Sequence, residues 1–245
     1  MNYKLSVVYE GTRYKGWQRQ KNSEMTIQGK IESVLSRYFG HPIEINGASR
    51  TDAGVHAAAQ VANFKTDRAV EAKELMAYVN QYLPEDIGIF EIEAVPESYH
   101  ARFHTKRKVY LYRLWTADYP PVFQRREVFW HRGASLDMEA MKEGAKLLEG
   151  KHDFKGFCTD KTKKSTERNL REISIAVTEN EIRFIVEGDG FLYNMVRIIV
   201  GTLLEIGEGK RTPESVLRVL ETGDRALAGE TAPAQGLLLY KTFDE

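Results

Sequence analysis

The chain has 245 residues, 42% of them hydrophobic and 29% charged, the composition of an ordinary globular protein with enough length for a sizeable core. Lys plus Arg and Asp plus Glu both number 35, so net charge offers no pointer to nucleic acid, and an RNA partner requires a basic face whose balancing acids lie elsewhere. The single Cys158 excludes an intrachain disulfide and a cysteine-cluster metal site, and fits a reducing cytosol.

Residues 4–9 read as a buried strand followed by a turn at Glu10-Gly11-Thr12. Thr26 then caps a helix whose apolar positions Ile27, Ile31, Val34, Leu35 and Tyr38 fall at helical spacing, ending at Gly40-His41-Pro42. Ile43-Glu44-Ile45 alternates as a strand into the loop around Asp52, and residues 60–64 lead out of it as another. A second helix carries Leu75, Met76, Val79 and Leu83 and stops before Pro84; residues 87–95 read as strand. The first half is therefore strand, helix, strand, strand, helix, strand.

The second half repeats that outline loosely. Residues 109–115 alternate as a strand, and residues 136–148 form a helix with Met138, Met141, Ala145 and Leu148 on one face. Ile173, Ile175 and Val177 alternate, a turn follows at Glu179-Asn180, and Ile182, Phe184 and Val186 alternate back, which predicts a hairpin. Residues 192–206 form an apolar helix too short to span a bilayer. A last helix opens at Thr212-Pro213-Glu214 and ends at Gly223. The expected fold is α+β: two similar halves, residues 1–104 and 105–245, sharing a continuous, mainly antiparallel sheet, with helices on one side and a central active-site cleft. With neither an export signal nor a long apolar run, the expectation is a cytoplasmic protein without a membrane span.

Chemistry concentrates in Ser49-Arg50-Thr51-Asp52-Ala53-Gly54-Val55-His56-Ala57. A carboxylate sits there between a guanidinium and an imidazole, in a small-residue turn carried by strands. A bare Thr-Asp-x-Gly is also an ordinary capped turn. Arg197 is the second informative residue. It shares a helical face with Gly190, Asn194 and Gly201 on an otherwise apolar cylinder, where an unpaired guanidinium is costly. Its anion is a structural acid such as Glu187 or Glu205, or a catalytic one. Tyr110 lies on the alternating strand among Lys106, Arg107, Lys108 and Arg113; it is a core ring or one that stacks on an RNA base. The basic stretches 13–21 and 161–171 are solvated surface or phosphate tracks. Cys158, between aromatic neighbours, reads as a buried structural thiol. His100 and His104 lack a third ligand, so no metal is expected. No phosphate-cradling glycine loop is present, and no nucleotide cofactor is expected.

The string Arg50-Thr51-Asp52-Ala53-Gly54-Val55-His56-Ala57 resembles the active-site motif of the TruA family of tRNA pseudouridine synthases, and the resemblance runs the length of the chain. Residues 9–18 resemble that family's first strand and turn, Thr26-Ile27-Gln28 the start of its first helix, and Lys108-Val109-Tyr110 its basic-x-Tyr element. His152-Asp153-Phe154, the run from Gly190 to Arg197, and Thr231-Ala232-Pro233 follow in family order. Ser49 departs from the family, which more often has Gly there.

The resemblance implies an isomerase that converts uridine to pseudouridine at tRNA positions 38–40, in the anticodon stem-loop, without metal or cofactor. It implies Asp52 as the catalytic carboxylate, attacking the sugar or the base or taking a ribose proton. It further implies Tyr110 as the base-contacting ring, Arg197 as the partner that keeps Asp52 ionised, and a homodimer gripping one tRNA. Arg50, beside Asp52 in the loop, is placed to fill the space left by a flipped base or to hold its phosphate. A non-catalytic binder of structured RNA, or a hydrolase pairing Asp52 with His56, are the alternatives.

Overall fold

The computed structural model of the chain describes residues 1–133, 135–160, 162 and 165–244. It divides into two compact units: Met1–Lys106 with the C-terminal segment from Leu238 onward, and Arg107–Leu237. Both are α+β with mainly antiparallel strand pairing. No helix among the described residues is long and apolar enough to cross a membrane.

In the first unit, β1 (Asn2–Tyr9) lies between β3 (His56–Lys65) and β4 (Ile87–Val95), antiparallel to both. The short β2 (Ile45–Gly47) pairs antiparallel with β3, Ile45 opposite Phe64. Helix α1 (Ile27–Phe39) starts where expected, because the Thr26 hydroxyl accepts the Gly29 N–H, and it ends on left-handed Gly40. Helix α2 (Ala72–Tyr82) packs on β4 and on α1. Leu5, Val7, Ile27, Ile31, Leu35, Phe64, Leu75 and Val79 are buried, each burial contributing about 1.5–3 kcal/mol to the driving force for folding. A short helix, α3 (Ala101–His104), has no counterpart in the sequence reading.

The second unit is built on β5 (Arg107–Trp115), β8 (Glu167–Val177), β9 (Glu181–Gly188) and β7 (Gly150–Asp153), in the order β5-β9-β8-β7. The two-residue β6 (Phe129–Trp130) runs parallel to the end of β5. The β8–β9 hairpin forms as predicted but reaches further back, through a register shift between Leu170 and Glu172. Helix α4 (Met138–Leu147), capped by Asp137, packs on α5 (Met195–Gly207) and on β8. Cys158 is a free, buried thiol, as expected.

Three helix starts are later than the sequence pattern suggests, the first being α4, which begins at Met138 after the Asp137 cap and not at Leu136. The apolar run from Leu192 is broken by Asn194, whose φ of 61° is left-handed, so α5 begins at Met195. Thr212-Pro213 forms a leading turn, closed by Ser215 N–H to Thr212 O and Val216 N–H to Pro213 O, and α6 (Ser215–Thr222) begins after it. The final strand, β10 (Leu237–Phe243), also has no counterpart in the sequence reading; it runs parallel to β3 beside His56 and Ala57. That pairing carries the end of the chain into the first unit, whereas division at 104/105 leaves it in the second.

Candidate active site

Strands β2 and β3 of the first unit hold between them the loop of residues 48–55, which carries Arg50 and Asp52. Its base is pinned by Gln60 of β3. The buried amide accepts the Ser49 N–H at 3.2 Å and donates to the Ser49 carbonyl at 2.7 Å, while Ala48 N–H reaches Val61 O at 2.8 Å.

A second segment, residues 9–17, straps the loop across its top. Trp17 N–H donates to Thr51 O at 3.1 Å, and Gly54 N–H donates to Tyr14 O at 3.2 Å. The Tyr9 and Thr51 hydroxyls share a 2.7 Å hydrogen bond. At Gly11 a β-carbon would lie 2.0 Å from the Val55 carbonyl oxygen, so only glycine lets the strap approach this closely. Gly54 has φ of 78°, the left-handed turn that the sequence pattern requires. Thr51 is buried, Asp52 is partly buried and Arg50 is exposed. The loop thus offers a guanidinium and a carboxylate on a backbone tied at both ends, the kind of preorganisation catalysis needs.

The neighbouring His56 is buried, and its Nδ1 accepts the Gly11 N–H at 3.0 Å. Glu10 Oε1 stands 3.6 Å from the same nitrogen. The shorter contact uses Nδ1 as an acceptor, which makes the ring a post for the Gly11 turn. The Ser49 hydroxyl is buried without a hydrogen-bond partner.

The other two expected site residues belong to the second unit, on β5 and on α5, which pack together. Tyr110 is buried opposite Val186 of β9, with its ring edge-on to Phe191 at 4.9 Å. Arg197 is held by two acceptors: Nε donates to Ala232 O at 2.7 Å and Nη1 to Asn194 Oδ1 at 2.9 Å. Ala232 N–H returns to Arg197 O at 3.1 Å. The Asn194 amide donates in turn to the Thr159 hydroxyl at 2.9 Å.

The small-residue stripe along α5 has a packing reason. At Gly201 a β-carbon would lie 1.8 Å from Glu230 O, so glycine lets the 229–232 segment lie flat on the helix. Thr202 Oγ1 and Glu205 Oε1 accept the N–H groups of Gly229 and Glu230 from that segment. The two acids considered as structural partners for Arg197 are engaged elsewhere, Glu187 with Arg107 and Glu205 with Arg211. Burial pushes the Glu205 carboxyl up, but the Arg211 guanidinium and the Glu230 N–H outweigh it and hold it below the ordinary range. Tyr112, two residues beyond Tyr110, donates to Pro233 O at 3.0 Å, and burial pushes its phenol up.

The basic stretches fare unequally. Arg13 pairs with Asp86, and Arg19 with Glu32 and Glu44, so much of the first stretch is tied into the fold. In the second, Lys161, Lys163 and Lys164 lie outside the described residues, and Arg168 turns back to the carbonyls of Ser165 and Glu167. The strap contacts of Tyr9, of Gly11 and of Gly16, where a β-carbon would lie 2.6 Å from Thr51 O, carry only one signal in the sequence, closely spaced glycines in an aromatic segment. Asn194 is visible there only as a polar residue on an apolar helix.

A family model described as tRNA pseudouridine synthase matches residues 5–104 and 145–243. A protein of Bacillus sp. (strain KSM-64) named tRNA pseudouridine synthase A is 49% identical over 97% of both chains. Proteins named tRNA pseudouridine synthase A 2 from Clostridium perfringens (strain 13 / Type A) and Bacillus anthracis are 46% and 45% identical, over 99% and 97% of both chains respectively. With the ordered motifs falling on the strapped Asp52 loop, on β5 and on α5, the chain belongs to the TruA family of tRNA pseudouridine synthases, and it is an isomerase.

Proposed function

We propose that this chain isomerises uridine to pseudouridine in tRNA, at positions 38–40 of the anticodon stem-loop, with Asp52 as the catalytic carboxylate. The observation that carries the reading is the Asp52 loop itself, tied by Gln60 beneath and by residues 9–17 above, in a chain 49% identical to a protein named for this activity.

The reaction breaks the bond between uracil N1 and ribose C1′, turns the base, and joins C5 to C1′. The C5 proton is lost and N1 gains one, so atoms and electrons balance without a redox partner or group donor. Such chemistry needs an ionised carboxylate at the ribose and base, and a pocket that keeps the freed uracil. Asp52 serves the first need, and Tyr110 holds the uracil ring. To Arg197 falls the role of the positive charge that keeps Asp52 ionised during the reaction. Arg50, exposed beside it, fills the space left by the flipped nucleotide or grips its phosphate; flipping costs a few kcal/mol. The enzyme works in the cytoplasm as a homodimer that grips one tRNA.

A hydrolase using His56 as its base is disfavoured, because Gly11 N–H occupies the Nδ1 of that buried ring. Nucleoside analysis of an anticodon stem-loop RNA after incubation with the enzyme tests the proposal. Pseudouridine at 38–40 in intact RNA is the expected product. Released uracil or a cut strand supports a hydrolase, and unchanged RNA supports a non-catalytic binder; either result overturns the reading.

A further inference from the structure

Between β5 and β6 the chain makes a loop whose tip is Phe123, 93% exposed, beside Val122 and Tyr119, both more than half exposed. Leaving a phenyl ring in water forfeits the gain of burying it. A slack loop would fold the ring back onto the surface, and this loop is not slack. The Trp115 indole N–H donates to Tyr119 O at 2.7 Å and the Trp130 indole to Ala117 O at 3.1 Å. The Tyr119 ring stands edge-on to Trp115 at 5.6 Å. Pro120-Pro121 stiffens the approach, and Val122, Glu127 and Val128 N–H groups are all bonded within the loop. At its far end Val128 is fully buried, and Gln235 donates to the Val128 carbonyl at 3.0 Å. Phe123 is therefore held out by its frame.

The charge around the ring is positive. Arg125 and Arg126 follow after Gln124 and are exposed; Arg125 Nη1 donates to Val122 O at 2.9 Å, which turns that guanidinium along the tip. Exposed Arg132 lies 4.1 Å over the Trp130 ring. Of the acids close in sequence, Glu127 reaches back to Arg113, which also pairs with Glu181. An aromatic face between guanidinium groups suits a nucleotide, whose base stacks and whose phosphates are anionic. Docking the loop against its copy in a second subunit would instead bring Arg125 and Arg126 of both chains together. The loop also falls between the two segments that the family model matches.

We propose that residues 119–126 form a second RNA-contacting surface, in which Phe123 stacks on an unpaired base of the tRNA and Arg125 and Arg126 meet the flanking phosphates. The proposal rests on tRNA being the substrate. Phe123→Ala is expected to weaken tRNA binding about 5- to 150-fold, the range for losing one stacked base, and to raise KM similarly, while Phe123→Trp retains binding. The double variant Arg125→Gln/Arg126→Gln is expected to flatten the dependence of log affinity on log salt by about one to two units. Sedimentation of each variant reads the oligomeric state. A Phe123→Ala protein that binds tRNA as the parent does, while the parent still makes pseudouridine, overturns this surface and leaves the proposed function standing. A change of oligomeric state on Phe123→Ala assigns the loop to a protein interface and likewise overturns it. A parent protein that binds no tRNA refutes both.

Discussion

The left-handed backbone of Asn194, with φ of 61°, is a conformation that asparagine tolerates and alanine resists by about 1–2 kcal/mol. In return its amide sits where one end reaches Thr159 and the other aims Arg197. If Arg197 serves Asp52, Asn194→Ala should lower kcat/KM by roughly one to two orders of magnitude, each factor of ten being about 1.4 kcal/mol. Asn194→Gly separates strain from aim: it should restore thermal stability but not kcat. A glycine variant with the parent's kcat would show that Arg197 needs no such support. Residues that act within one short segment are legible in the sequence, since Arg50, Asp52 and Gly54 announce a charged, left-handed turn by themselves. The hydrogen bonds from Tyr9 and Trp17 to that turn are not legible, because they join residues more than thirty positions apart, and periodicity carries no such information.

At the scale of elements, Gly201 shows how a helix can be shaped by the segment laid on it. Gly201→Val would drive a β-carbon into the Glu230 carbonyl, so the 229–232 segment must lift and take with it the Ala232 acceptor of Arg197. The expected cost is about 2 kcal/mol or more in thermal or denaturant unfolding, together with lost activity. An unchanged Tm would mean that the segment is free to move. Strong helical periodicity makes α1, α2 and α4 readable, α1 with its cap at Thr26, whereas the Asp137 cap of α4 is hidden because Leu136 already fits the apolar pattern. The start of α5 is displaced from its expected place because Leu192 and Tyr193 extend the apolar pattern and only the backbone at Asn194 breaks it. Strand β10 is hidden because a short apolar run, Leu237-Leu238-Leu239, does not by itself distinguish strand from helix. Its pairing with β3 is a long-range fact.

For the whole molecule, acid stability is set by carboxylates that the fold holds ionised. Burial pushes Glu181 up from its ordinary value of 4.5, but the Arg113 and Arg183 guanidinium groups outweigh it and the net shift is downward; Glu205 shifts the same way. A carboxyl whose folded-state pKa lies below its unfolded one contributes stability above the unfolded value and loses it as pH falls through the folded value. Thermal melts should therefore be flat from neutrality to about pH 5 and fall below about pH 4. Glu181→Gln should be less stable than the parent at about pH 7, with the gap closing at about pH 3. A gap of equal size at both pH values would show that the charge of Glu181 plays no part. The account as a whole turns on one carboxylate. Asp52→Asn keeps the shape of the side chain and removes its charge, so the purified variant should bind tRNA with the parent's affinity within a few-fold. In a single-turnover assay on anticodon stem-loop RNA it should form pseudouridine at least about 1,000-fold more slowly. Turnover near the parent rate would contradict the assignment of Asp52 as the catalytic residue.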